Sequence, residues 1–358
     1  MHDGVSRTRL NQLEPDALVN LFDAHPPHGF VPFTAACGIP AFVASFDLLT
    51  TADETLRRRV HALPFARRWL PWLHIRTAFV GTTVTEYTLL PDCDASFFLE
   101  DLRAQAGRAH KLVIVKDIPQ RSPLLAAYAN TRAEQFVAVC QEQGFLLVEG
   151  QALAYVAIDF DSIDAYLQRL SNSRRKNLRR KLRKRDGLQI DRVHTGSPVF
   201  DDDNIVDTYY ALYLDVYKQS EVHFDLLTPA FFAAMLRDPK NNGISFEYRH
   251  AGELIGYNLC FEHEGRLIDK YIGLRYPQAR ENNLYFVSWF VNLEYALERG
   301  LTHYVAGWTD PQVKAELGAS FTYTRHAVYI RNRFLRALAR RFAAHFESDR
   351  QWSEQHHV

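Results

Sequence analysis

Residues 266–306 most constrain the fold. They read as a strand (266–273), a loop (LRYPQARENN, 274–283), a long helix (283–299) stopped by Gly300, and a second strand (302–306). A strand, a crossover helix and a strand in one sheet place the two strands parallel, with the helix N-terminus at their mouth. A ligand can enter there. The loop offers Arg275 and Arg280 beside the helix start, where guanidinium groups and backbone N–H groups can converge on a phosphate or carboxylate.

The surrounding second half has an α+β order. Helices are expected over 161–185, 208–219 and 229–237. Three antiparallel strands come next at 244–249, 254–262 and 266–273, joined by the glycine-bearing turns HAGE and HEG. After the crossover come a short helix (311–317) and a strand (323–331). The first half predicts strands at 39–49 and 76–90, rich in Val, Thr, Phe and Tyr, a helix at 95–109, and a short buried strand at 111–116. A helix at 124–143 ending on Gly144 and a strand or strand pair at 145–160 complete it. At 358 residues the chain is long enough for two cores. The expected division is an N-terminal extension (1–30), a first domain (31–160), a second domain (161–331) carrying a basic helix at 173–185, and a C-terminal helix and tail (332–358).

Composition removes several function classes. Forty-two Lys and Arg cancel forty-two Asp and Glu, so attraction to nucleic acid or an anionic surface has to be local. Cys37, Cys93, Cys140 and Cys260 are far apart and have no His at metal-ligand spacing, which argues against both a zinc site and a disulfide framework and predicts a reducing cytoplasm. The N-terminus shows no secretory apolar run. The uncharged stretch 24–46 holds four prolines and reads as loop and strand, so no stable membrane insertion is expected. Nucleophile-elbow, zincin, Walker and Rossmann signatures do not occur, which disfavours hydrolase, metalloprotease, kinase and dehydrogenase readings.

Local charge is concentrated in RRKNLRRKLRKR (174–185), where nine of twelve residues are basic. With Ser171 or Ser173 as N-cap, Leu167, Leu170, Leu178 and Leu182 form a narrow apolar stripe and the remaining faces are cationic. Cations at the positive end of the helix dipole are unfavourable, and a partner anion would relieve this. Three partners suit the helix: the phosphates of a nucleotide-bearing ligand, an RNA backbone, or the protein's own Asp201, Asp202 and Asp203. The helix has no interleaved aromatics of the kind that read RNA bases.

The run from DSIDAYLQRLSNSRRKNLRRKLRKRDGLQI through YYALYLDVY, ISFEYRHAGELIGYNLCFEHEGRLIDKYIGLR, YALERGLTHYVAG and VKAELGASF resembles, in order over 161–321, Fem-type acyltransferases of the GNAT superfamily. The resemblance implies an α+β fold of two GNAT-like domains in tandem, each a mixed, mostly antiparallel sheet flanked by helices, the first a degenerate copy. It places Arg174 and 176–180 on the family's basic helix, Gly256 in the meander, Tyr271 beside the crossover, and Lys314 with Leu317-Gly318 on a Lys-x-x-Leu-Gly element. QARENN (278–283) departs from the glycine-bearing loop that holds the pyrophosphate in acetyl-CoA enzymes of the superfamily.

The implied activity is transfer of an acyl or aminoacyl group from acyl-CoA, or alternatively aminoacyl-tRNA, to a small-molecule or peptide amine, without a metal. Such chemistry needs a cleft, a proton acceptor and oxyanion donors. Proton-acceptor candidates are Asp269, Tyr271 and Glu247, with His223 and Asp310 behind them. Donor phosphates would meet Arg175, Arg179, Arg180, Arg275, Arg280 and Lys314, although Lys314 equally suits a pairing with Glu281. Tyr285, Trp308 and His223 would wall the substrate pocket. The rival reading is a non-catalytic binding protein that uses the basic helix for nucleic acid or an anionic surface.

Overall fold

The structure, a computed structural model, describes residues 9–47, 73–220 and 224–342. In chain order the elements are α1 (Asp16–Ala24), β1 (Val31–Thr34), β2 (Pro40–Asp47), β3 (His74–Val80), α2 (Ala95–Ala109), β4 (Leu112–Gln120), α3 (Ala127–Glu142), β5 (Leu146–Ala157), α4 (Ile163–Gln168), α5 (Asn172–Leu182) and β6 (Gln189–His194). The chain continues with α6 (Asp203–Gln219), α7 (Pro229–Arg237), β7 (Gly243–His250), β8 (Glu253–His263), β9 (Arg266–Leu274), α8 (Gln278–Glu281), α9 (Leu284–Glu298), β10 (His303–Gly307), α10 (Pro311–Leu317), β11 (Ser320–Ile330) and α11 (Arg333–Phe342). The described residues form two compact units, one from residues 9–12, 29–47, 73–152 and 322–342, the other from 13–28, 153–220 and 224–321.

In the first unit the strand order is β1-β2-β3-β4-β11-β5. β3 and β4 are parallel, paired at Ala78–Val113, Phe79–Ile114 and Val80–Val115, with α2 as their crossover. The expected strand 76–90 stops at Val80. Gly81 turns the chain at φ +108°, and in GTTVTEYT Thr82 and Thr85 bond to each other instead of joining a ladder: Thr82 Oγ1 accepts from the Thr85 amide at 3.2 Å. Cys37 and Cys93 form a disulfide, contrary to the expectation drawn from their spacing. Their sequence separation of 56 is no guide, because Cys37 sits in a tight turn that packs against α2, and Cys93 immediately precedes the N-cap of that helix. Cys140 and Cys260 are free and buried.

In the second unit the order is β5-β10-β9-β8-β7-β6. One face carries α9 and the leucines and aromatics of α4 and α5. The other carries α6, with Tyr209 stacked on Tyr257 at 4.3 Å, and α7, whose Phe232 meets Tyr271. The expected helix 161–185 is two helices, because Ser171 adopts extended backbone and caps α5, its Oγ accepting from the Arg174 amide at 3.4 Å. β6 was not anticipated, since no residue of QIDRVH is fully buried and the strand lacks an apolar face to betray it.

Candidate functional site

The parallel ladder between β9 and β10 has three pairs, Arg266–His303, Leu267–Tyr304 and Ile268–Val305. Beyond them β10 ends at Gly307 while β9 runs on to Leu274. The two strands therefore part beyond the third pair, toward their C-terminal ends. In the first unit the corresponding side of β4 is closed by the 82–88 loop: Lys116 Nζ donates to Thr82 O at 2.9 Å and the Thr88 amide to Asp117 O at 3.0 Å.

A β-bulge at the parting point decides which side chains face it. Cys260 pairs with Asp269 and Leu259 with Tyr271, leaving Lys270 as the extra residue, so Asp269 and Tyr271 point to opposite faces of the sheet. Asp269 accepts from Tyr304 OH at 2.8 Å, Asn292 Nδ2 at 3.0 Å and Asn258 Nδ2 at 3.2 Å. Burial raises its proton affinity above the ordinary 3.8, and the hydrogen bonds from Tyr304 and Asn258 and the Lys314 ammonium pull the other way. Lys314, on α10, is 4% exposed. It reaches Gly307, where a Cβ would come within 3.9 Å of its Nζ and 3.7 Å of Asp269 O. Tyr285, in the first turn of α9, is held neutral by burial and by Asp310 and Asp269. Trp308 comes directly after β10 and is half-buried. Asp269, Lys314, Tyr285 and Trp308 are thus all placed about the parting point.

The other candidates lie elsewhere. Tyr271 is packed among Phe231, Phe232 and Phe261. Glu247 on β7 accepts from Tyr209 OH at 2.6 Å and pairs with Arg249 at 2.6 Å, and Arg249 also pairs with Asp191 at 3.7 Å. Arg275 pairs with Glu253. Arg280 donates to Gln219 at 2.6 Å and lies over the Tyr276 ring. These two arginines do not converge. In the QARENN loop the amides of residues 279–283 bond to carbonyls of residues 275–280, so none of the five points at a ligand. His223 lies outside the described residues.

The basic helix α5 borders the same region. Lys181 Nζ sits 3.2 Å from the Phe286 ring centroid on α9, and Arg174 reaches Ala315 O on α10 at 3.5 Å. Arg179 pairs with Asp164 at 2.8 Å, and Arg185 with Glu294 at 2.5 Å. Asp202 instead caps α6 and Asp203 pairs with Arg237, so the acidic triplet does not serve the basic helix. Asn172, Arg175, Lys176, Arg179, Arg180 and Arg183 line an open groove of about 520 Å³. Among the described residues Lys176, Arg183 and Lys184 have no carboxylate partner, and all three are exposed. No group of three or more His, Cys, Asp or Glu among the described residues could hold a metal ion.

Asn258, Asn292 and Tyr304 were not singled out from the sequence. The available signal was a lone amide inside an apolar run, IGYNLCF and WFVNLEY, because a buried amide needs partners.

Residues 100–357 match the FemAB-like family, described as peptidoglycan biosynthesis/recognition. Comparison with curated protein sequences finds no match. Among solved structures, the C-terminal domain of a protein assigned as a lysylphosphatidylglycerol synthetase from Agrobacterium fabrum is similar at 14% identity and TM-score 0.55, over 91% of this chain and 90% of that one. FemX is similar at 12% identity and TM-score 0.52 over 93% and 95%, and L-PGS from Bacillus licheniformis at 14% and 0.50 over 92% and 97%. The fold is α+β, each unit a mixed, mostly antiparallel sheet flanked by helices, as the resemblance implied. With well over half of its length matched by the family model, the chain belongs to the FemAB-like family.

Proposed function

We propose that this protein is an N-acyltransferase in which the parted strands β9 and β10 receive an activated acyl group and an amine attacks it. The donor in this reading is an aminoacyl-tRNA. Two features support it over acyl-CoA: the internally bonded amides of 279–283, which leave that loop no pyrophosphate cradle, and the cationic groove of α5, which suits a phosphate backbone. The acceptor is the amine of a small molecule or peptide, and the family description favours a peptidoglycan precursor.

The amine nitrogen attacks the ester carbonyl, forming the C–N bond while the carbonyl pair moves onto oxygen. Collapse expels the ribose oxygen, which takes up a proton. Asp269 accepts the proton lost by the amine. The Lys314 ammonium lies where it stabilises the oxyanion. Tyr285 and Trp308 wall the acyl pocket, and Arg175, Arg179 and Arg180 hold donor phosphates. Tyr271, Glu247, Arg275 and Arg280 are left with structural roles. The tandem copies are assigned to 31–160 and 161–331. The donor would place the reaction in the cytoplasm, and the disulfide removes the cysteine-based support for that compartment.

The observation that carries the reading is the three-pair ladder opening onto Asp269 and Lys314. Its test is incubation with charged tRNA and, separately, with acyl-CoA in the presence of amine acceptors. Consumption of charged tRNA with amide formation is expected. Consumption of acyl-CoA alone would overturn the donor assignment, and consumption of neither would overturn the enzyme reading.

A further inference from the structure

The C-terminal helix α11 points its apolar side away from the protein. Asn332 caps it, Oδ1 accepting from the amides of Phe334 at 2.9 Å and Leu335 at 3.2 Å. Facing the first unit are Arg336, whose guanidinium lies 4.9 Å over the Tyr329 ring, and the half-buried Ala339. Phe334, Leu335 and Leu338 span about 100° of the helix circumference and are 79%, 56% and 53% exposed. Scattered exposed apolar residues need no explanation, but here three of the seven large ones among the described residues share one helix face.

The segment that carries this face is basic. Residues 317–346 contain six arginines and no Asp or Glu. At the foot of the helix Arg331 donates to Arg108 O at 2.7 Å and its amide to Lys111 O at 3.0 Å, which gathers exposed Arg108, Lys111, Arg331 and Arg333 into a basic rim. A second copy meeting this face about a two-fold axis would bring rim against rim. An RNA would leave the phenylalanine and leucines in water. A surface that is apolar within and negative at its boundary satisfies both features at once.

We infer that α11 docks this protein on anionic lipid bilayers, inserting Phe334, Leu335 and Leu338 at the headgroup boundary while the basic rim meets the lipid phosphates. Attachment is peripheral: no helix among the described residues is long and apolar enough to cross a membrane. This inference does not depend on the transferase reading.

The test is flotation of the full chain with vesicles of phosphatidylglycerol and phosphatidylcholine in equal parts, and with phosphatidylcholine alone. Co-flotation with the mixed vesicles, weakened by salt, is expected. Phe334→Ser/Leu335→Ser/Leu338→Ser, and separately Lys111→Glu/Arg333→Glu, are expected to weaken partition about tenfold or more with the melting temperature unchanged. Arg179→Ala/Arg180→Ala on α5 is expected to float like the wild type. No flotation of the wild type, equal flotation of the α11 variants, or loss only in the α5 variant overturns the inference. So does a wild-type dimer in solution that the triple-serine variant turns into a monomer, since a second copy would then cover this face.

Discussion

At the scale of residues, the proposed chemistry rests on a buried carboxylate beside a buried ammonium. Desolvation raises the proton affinity of Asp269, so its ionised form appears at a pH above the ordinary 3.8. A base must be ionised to accept a proton. Activity should therefore rise with pH along an acid limb displaced upward from that value. Asp269→Asn should remove the limb and lower kcat by about 10²–10⁴. A pH profile of kcat/KM for both proteins checks this, and an unshifted limb in the variant would take the role from Asp269. Asp269 was legible because it stands on the strand beside the crossover. Tyr271, two residues on, was not separable from it, because strand alternation puts positions 269 and 271 on one face unless a bulge intervenes. The bulge at Lys270 depends on the pairing with β8 and leaves no mark in the local sequence.

At the scale of elements, α5 divides its tasks between faces. Leu178 is fully buried against the second unit's core, whereas Arg179 and Arg180 are exposed. Leu178→Ala should cost about 2–4 kcal/mol of stability, as truncation of a buried leucine does. Arg179→Ala/Arg180→Ala should change stability by less than about 1 kcal/mol. The same double variant should weaken binding of charged tRNA and flatten its salt dependence by about two phosphate contacts. Denaturant titrations beside binding isotherms at several salt concentrations separate the two effects. Unchanged binding would leave the groove without its assigned ligand. Most elements were readable where period and punctuation agree: α2 and α10 fall on their expected bounds, and Gly300 stands just past the end of α9. β6 was missed for want of an apolar face, and two further failures share another cause. In 82–90 and at Ser171, hydroxyl side chains bond nearby amides, and this competition ends a strand in one case and splits a helix in the other.

At the scale of the whole chain, each unit is built on one parallel pair joined by a 15-residue crossover helix, α2 or α9. The pairs differ beyond their last rungs. In the first unit, Lys116 and Asp117 bind the 82–88 loop, and His326 Nδ1 accepts from the Asp117 amide at 3.0 Å. Burial holds His326 below its ordinary 6.5, and Lys116 adds to this while Asp117 opposes it. The unfolded chain then takes up a proton near pH 6.5 that the folded one resists. Stability from this group is complete above that value and is lost as pH falls toward the depressed folded-state value. Melting temperature should decline between about pH 7.5 and 5.5, with a shallower slope in His326→Gln. A slope unaffected by the substitution would place the pH response elsewhere. Closure of the first parallel pair and opening of the second explain why the chemistry is assigned to residues 161–321.

The most direct test of that assignment is a crystal structure with a non-hydrolysable 3′-aminoacyl-adenosine amide. The acyl carbonyl is expected between β9 and β10, within hydrogen-bond reach of Lys314 Nζ or of a β9 amide beyond Ile268, with the amino-acid side chain against Tyr285 and Trp308. An analogue bound away from these strands, or strands that close on each other in its presence, would contradict it.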